Sequence, residues 1–284
     1  MLTIQNDSGS ITFDSHNYVL TSIDYGSIGA THSTAKGAEQ VGERVINTTL
    51  DIRDVEIVGF IRAASAAEME TKKAALYRLC EPRGEFQILL DNNLGLSCHA
   101  DGTVKFTASK LTNNDRVAQF VVDAICYDPL FSDAVARYRR IAEWVSNFIW
   151  PLEIPETGFT FADRTEGYIT LLQNNGDVET GLLIYFTAAA SVKNPMLMNV
   201  ETREFIALNR TLVAGETVVV NTNYGAESVT SYIGDGVEDI INDLDLDSTF
   251  LQAPVGTTSF HFSADENVDS MTVTIYYYQK YLGV

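Results

Sequence analysis

The sequence predicts a mainly β protein of two domains, an α+β first domain with a single helix and a second domain built as a β-sandwich or barrel. Three observations carry this. Short runs rich in Val, Ile, Thr, Tyr and Phe recur between clusters of Gly, Asn and Asp along most of the 284 residues. One stretch alone combines a helix cap, a helical apolar stripe and a stop. The charge is also uneven: residues 1–140 hold 14 Lys/Arg and 18 Asp/Glu, whereas residues 141–284 hold 5 and 20. Such a shift marks two units with different surfaces.

Composition sets outer limits. With 45% hydrophobic and 20% charged residues, the chain has the apolar material for packed cores. A formal net charge of −19 opposes nucleic-acid binding, which needs cations to displace phosphate counterions, and opposes docking on anionic lipid. The opening residues Met1 to Asp7 lack the basic and apolar regions of a signal peptide. The densest apolar stretch, 181–192, is too short and too interrupted to span a bilayer. Folding in a reducing cytoplasm is expected. Cys80, Cys98 and Cys126 are an odd, widely spaced set without a CxxC pair. Buried thiols are therefore expected, rather than a disulfide framework or a zinc site.

The elements follow in order. Residues 24–45 hold Gly26, Gly29, Gly37 and Gly42 and few large apolar groups. Such a stretch cannot bury enough surface to offset its ordering entropy, and predicts a mobile loop or an arm that orders on a partner. Residues 48–61 alternate as Leu50, Ile52, then Val55, Ile57 and Ile61, so a bulge is expected at Arg53-Asp54. Ser65-Ala66-Ala67-Glu68 is a capping box, and Glu81-Pro82 ends the helix near Cys80. Its stripe is Met69, Leu76, Leu79 and Cys80, with Lys73 intruding. Residues 86–90 are a strand, Asp101-Gly102 is a turn, and the nearly continuous apolar run 117–127 predicts a strand buried on both faces.

The first domain is assigned to residues 1–143 and the second to 163–284. Between them, residues 144–162 form a connector that Pro151 and Pro155 keep extended. In the second domain, strands are expected at 168–172, 181–187, 205–208, 217–221, 228–233, 249–252, 258–264 and 271–278, with turns at Asn174-Asn175-Gly176 and Ala214-Gly215.

No constellation predicts catalysis. Glu153 and Glu156 could pose as paired carboxylates, but they lie on the Pro-broken connector with nothing to fix their separation. Asp243, Asp245 and Asp247 imitate a calcium loop, yet Ser248 stands where glycine is needed and Pro254 where the bidentate glutamate belongs. His16, His32, His99 and His261 have no metal-ligand spacing, and no nucleophile elbow or phosphate loop is present. No metal or cofactor is expected. In the run 271–278, Met271, Val273, Ile275 and Tyr277 share one face, while Thr272, Thr274, Tyr276 and Tyr278 share the other. Tyr276 and Tyr278 are therefore candidate glycan or partner contacts, set against ordinary cross-strand packing.

The order of these elements resembles the distal tail protein family of long, non-contractile-tailed phages, mainly of Gram-positive hosts. The resemblance rests on Gly9-Ser10-Ile11 followed by Tyr18 to Asp24, on Arg53 to Ile61 and the helix, on Cys126-Tyr127-Asp128-Pro129-Leu130-Phe131, on Trp150-Pro151 to Gly158, and on Tyr281-Leu282-Gly283-Val284. It covers essentially the full length. It implies a galectin-like or jelly-roll second domain and a ring-forming first domain with an extended belt. It further implies a structural role without catalytic residues, in a hexameric ring at the distal end of the virion tail. The partners implied are further copies of the chain, the tail-tube protein, the tip or hub protein and a receptor-binding protein. The arm at 24–45, with Tyr25, Gly26, Gly29, Gly37 and Gly42, is then the candidate ring contact. The alternative is a host cell-wall carbohydrate-binding module using the second β-sandwich.

Overall fold

The structure, a computed structural model, describes residues 2–14, 16–107, 111, 113–141, 144–146, 162–164 and 168–284. The chain divides into two compact units, residues 1–134 with 281–284, and residues 135–280.

In the first unit the strands are Leu2–Asn6 (β1), Gly9–Phe13 (β2), Tyr18–Asp24 (β3), Ala30–Ala35 (β4), Arg44–Leu50 (β5), Arg53–Arg62 (β6), Glu85–Leu89 (β7), Leu94–Ala100 (β8), Lys105–Phe106 (β9), Val117–Cys126 (β10) and Phe131–Asp133 (β11). The main sheet runs β2-β1-β7-β8-β10-β6-β3, and β4 pairs with β5 as a separate two-stranded ladder. Period-2 alternation places Ile4, Ile11, Val55, Ile57, Ile61, Phe86, Ile88, Phe120 and Val122 in one core. Gly59 makes room for this packing, because a Cβ there would lie 2.7 Å from Phe120 Cζ.

The helix spans Ala66–Leu79 (α1). Ser65 Oγ accepts from the Glu68 amide at 3.3 Å, and Glu68 Oε2 reaches back to accept from the Ala64 amide at 2.7 Å, one residue before the cap, so the expected capping box is present in a shifted form. Met69, Leu76 and Leu79 are buried. Lys73 fits its place in the stripe by running its stem to the rim, where Nζ lies 5.3 Å from the Phe106 ring centroid and 3.3 Å from Asn113 Oδ1.

Several expectations for this unit are corrected. Arg53-Asp54 carries no bulge; the chain breaks pairing at residues 51–52, and the irregularity lies at Leu20/Ser22, where β3 meets β6. The strand at 117–126 is fully buried on one face only, with Ala118, Phe120, Val122, Ala124 and Cys126 inside and the alternate residues half-exposed. Cys98 and Cys126 are disulfide-bonded, with Cα atoms 4.3 Å apart. Their 28-residue separation hides that antiparallel β8 and β10 bring them face to face.

In the second unit the strands are Arg137–Ile141 (β12), Trp144–Ser146 (β13), Ala162–Arg164 (β14), Ile169–Asn174 (β15), Thr180–Ala188 (β16), Val192–Lys193 (β17), Met196–Asn199 (β18), Phe205–Ala207 (β19), Thr211–Leu212 (β20), Thr217–Asn221 (β21), Ser228–Ile233 (β22), Gly236–Asp239 (β23), Gln252–Ala253 (β24), Gly256–Ser263 (β25) and Met271–Tyr277 (β26). One sheet runs β12-β26-β16-β21-β22-β23 and the other β15-β25-β18-β19. They share a core that includes Ile184, Phe186, Leu197, Val218, Phe260, Phe262, Val273 and Ile275, which makes the unit a β-sandwich.

The expected division at 143 falls later than the structural one. Arg137–Ile141 pairs with Met271–Tyr277 and so belongs to the second unit, while residues 281–284 return to the first. The two ends of the expected connector pair, Trp144 with Arg164 and Ser146 with Ala162; its middle, including Glu153 and Glu156, lies outside the described residues. The strand expected at 249–252 is reduced to Gln252–Ala253.

Candidate interaction surfaces

The stretch expected to be an unstructured arm is a β-hairpin. Ala30 pairs with Leu50 and Ala35 with Arg44, with a register shift at Ser33/Thr34. Thr, Val and Ile supply the β-propensity, and pairing satisfies backbone groups that a loop would leave to water. The arm also runs further than residue 45, to Ile52. At its base the Asp51 amide donates to Gly29 O at 2.9 Å, and Thr31 Oγ1 donates to Asp51 Oδ1 at 2.8 Å. Midway, His32 Nδ1 lies 2.8 Å from Thr48 Oγ1.

The glycines do specific work here. Gly26 has φ +59°, and a side chain there would collide with the Asp54 carbonyl. A Cβ on Gly29 would sit 2.8 Å from Asp51 Oδ2, and Gly42 turns the tip at φ +79°. Gly37 receives the Gln40 side chain, its amide donating to Oε1 at 3.0 Å. Every residue of both hairpin strands is exposed. The apolar side chains Val41, Val45, Ile46, Leu50 and Ile52 are 46–100% exposed. An isolated two-stranded ribbon with uncovered Val, Ile and Leu has the character of a contact surface.

Tyr25, at the root of the hairpin, is half-buried. It anchors the arm, its ring meeting Phe131 edge-on at 5.4 Å. Beside it lies Arg53, which is 3% exposed. Arg53 Nε donates to Pro129 O at 2.7 Å, Nη1 to Tyr25 O at 3.3 Å and Nη2 to Leu282 O at 2.7 Å. Its guanidinium stands 4.7 Å from the Phe131 centroid, and burial draws its pKa below the usual arginine value. One fork of donors thus ties together the arm base, the 128–131 loop and the returning chain end. Nothing local in the sequence marks Arg53 for this role.

On the second unit, register assembles a tyrosine face. Tyr138 pairs with Tyr276, Thr274 with both Arg140 and Tyr185, and Thr217 with Tyr232. Tyr276 lies 5.7 Å from Tyr138 and 5.2 Å from Tyr185, centroid to centroid. Burial, followed by the neighbouring Tyr276, Tyr232 and Tyr278, pushes the Tyr185 phenol above its usual pKa. Tyr138 and Tyr232 are exposed, and Tyr278 stands at the rim. Tyr276, the expected contact, is packed between neighbours, so cross-strand packing claims most of its ring. Tyr138, Tyr185 and Tyr232 escaped sequence reasoning because they lie on three strands far apart in the chain. In this unit of 20 Asp/Glu, the described residues of the sheet face carry charge only at its edges, through Arg140 and Asp239.

The aspartates that imitated a calcium loop have structural partners. Asp243 Oδ2 accepts from Arg210 Nη1 at 2.9 Å, and Asp245 accepts from the Asp247 amide and from Asn209 Nδ2. Those two bonds hold the Asp245 carboxyl below its usual pKa. Among the described residues no group of three or more His, Cys, Asp or Glu side chains could hold a metal, and no helix is long and apolar enough to cross a membrane.

Residues 175–281 match the family model for the siphovirus-type tail component, C-terminal domain. Those residues are similar to a phage tail-component domain. The match covers most of the sandwich, including β16, β21, β22, β25 and β26. The fold extends the likeness to the whole chain. The crystal structure of the Dit protein of phage SPP1, described as a paradigm of the hub adsorption apparatus in Gram-positive-infecting phages, superposes with a TM-score of 0.66 at 12% identity, covering 99% of each chain. A chain of the phage p2 baseplate in its activated conformation gives 0.59 at 8% identity, covering 100% of this chain and 99% of that one. No curated protein matches by sequence. The chain thus has the mainly β fold of the SPP1 Dit protein.

Proposed function

We propose that this chain is the adaptor at the distal end of a phage tail, forming a hexameric ring between the tail tube and the tip or hub proteins. The observation that carries the reading is the exposed hairpin of β4 and β5. Its uncovered Val45, Ile46 and Leu50 call for burial against another chain. A contact in which an arm of one copy meets a different surface of the next is heterologous, and repeated rotation closes it into a ring. The similar SPP1 and p2 structures, a hub protein and a baseplate, support assembly of this kind.

The test is replacement of residues 27–51 by a short linker. Light scattering and electron microscopy are expected to give rings for the native chain and single subunits for the variant, with the circular dichroism of both units retained. Native-size rings from the variant would remove the hairpin from the interface. A strictly monomeric native chain at high concentration would count against a free ring.

The tyrosine face is proposed as the seat of a second protein, such as a receptor-binding protein. Aromatic enrichment with charge confined to the edges is the composition of an interface centre. Retention of the full chain on purified host-wall polysaccharide, lost with Tyr138→Ala, would assign the face to a glycan instead.

A further inference from the structure

We propose that Cys98 and Cys126 are thiols while the protein folds and assembles, and that their bond forms by oxidation once the particle has left the cell. The two cysteines lie opposite each other on β8 and β10, bonded in the structure and fully buried. Backbone register sets the partner without the bond, because the β8–β10 pairs Ala124–Ala100 and Ile125–His99, continued by one residue, bring Cys126 opposite Cys98. Glutathione keeps thiols reduced inside a cell, whereas a virion component works outside it, so a pair preset by the fold meets its oxidant after release.

The position gives the bond a consequence. Phe86 pairs with Cys98 across β7 and β8, and Cys126 pairs with Arg53 across β10 and β6. The disulfide therefore joins two pairs into one row, Phe86, Cys98, Cys126 and Arg53. That row ends on the side chain that holds Tyr25, Pro129 and Leu282. Oxidation would clamp the sheet at the root of the hairpin arm.

The oxidant is a low-molecular-weight disulfide, RSSR. One cysteine thiolate attacks it, forming a mixed disulfide and releasing RS⁻. The second thiolate then displaces the remaining RS⁻ and closes the Cys98–Cys126 bond. In net terms two thiols are oxidised and one RSSR is reduced to two RSH. Both cysteines are buried, so the exchange requires a local opening at the end of β10, which finishes at Cys126. Once formed, the buried bond is shielded from external thiols.

Cys80 serves as an internal control. It is buried, has no cysteine partner, and burial pushes its thiol up to about 12. The experiment is alkylation with iodoacetamide under denaturing conditions, applied to protein trapped inside infected cells and to released particles. Peptide mass spectrometry is expected to find all three cysteines alkylated in the cells, but Cys80 alone in particles until a reductant is added. A bond already present inside cells, or free thiols at Cys98 and Cys126 in aged particles, would overturn the proposal. Purified protein treated with oxidised glutathione is also expected to melt several degrees higher than its reduced form. Equal melting temperatures would overturn the clamp.

Discussion

Arg53 Nη2 donates to the Leu282 carbonyl at 2.7 Å, across a separation of 229 residues. The end of the chain is thus held to the strand on which the hairpin arm is rooted. Residues 281–284 belong to the first unit although the second unit precedes them in the chain.

Arg53→Met is expected to destabilise the first unit by about 3 kcal/mol, because carbonyls of Pro129, Tyr25 and Leu282 lose a charged donor. Urea titration of the full chain measures it. A cost under about 1 kcal/mol would mean that water replaces the lost bonds.

The helix start is sensitive to both substitution and pH. Ser65→Ala is expected to cost about 1 kcal/mol through the lost cap. The Lys72 hydrogen bond, with help from the Ala64 amide, holds the Glu68 carboxyl below its usual 4.5. A lowered folded-state pKa contributes stability above the unfolded value and loses it as pH falls through the folded value. Glu68→Gln should therefore be less stable than the native chain at neutral pH, with the difference closing in acid below 4.5. A constant difference from neutral pH down to pH 3 would contradict this.

Glu216 is fully buried and depends on Arg210, whose Nη2 stands 3.0 Å from its carboxylate, together with Ser231 Oγ at 2.8 Å and the Val213 amide at 2.9 Å. Arg210→Ala leaves this carboxylate without its cation and is expected to cost roughly 3–5 kcal/mol. Adding Glu216→Gln should recover part of that loss in the same denaturation assay. No recovery would show that Arg210 acts through packing instead.

Two glycines with positive φ separate strain from collision. Gly215, at φ +85°, has open space around the position of a Cβ, so Gly215→Ala should cost about 1 kcal/mol from backbone strain alone. Gly26→Ala adds the clash with the Asp54 carbonyl and should lower the melting temperature further. Equal shifts would indicate that the arm base relaxes freely.

Tyr138→Ser and Tyr232→Ser should change stability by no more than about 0.5 kcal/mol, since both side chains are exposed on the sheet face. The variants are expected to keep the ring but to lose the second protein from purified tail tips. Full tip occupancy in both would clear the face of that role.

How far the molecule could be read from its residues differed by element. The helix was legible because its signals are local: Ser65, Glu68 and Pro82 act within a few residues of where they stand. Most sandwich strands were legible for the same reason, since alternation needs no knowledge of the neighbour. The hairpin is not legible in the sequence: its glycines point to a mobile loop or a partner-ordered arm, and nothing local shows that Gly26, Gly29 and Gly42 are turn and close-approach positions. Tyr276 was found, but not its companions Tyr138, Tyr185 and Tyr232, because cross-strand neighbours carry no spacing signature.

The sequence by itself determined the mainly β class, the single capped helix, the acidic second half and the family likeness, all of which follow from local pattern and composition. The tertiary structure alone decided that Arg53 meets Leu282, that Cys98 meets Cys126, that Glu216 has Arg210, and that tyrosines from separate strands share one face. Those pairings are set by strand order and register. A one-residue slip would send every side chain of a strand to its opposite face, and only packing against both neighbours selects the register that is found.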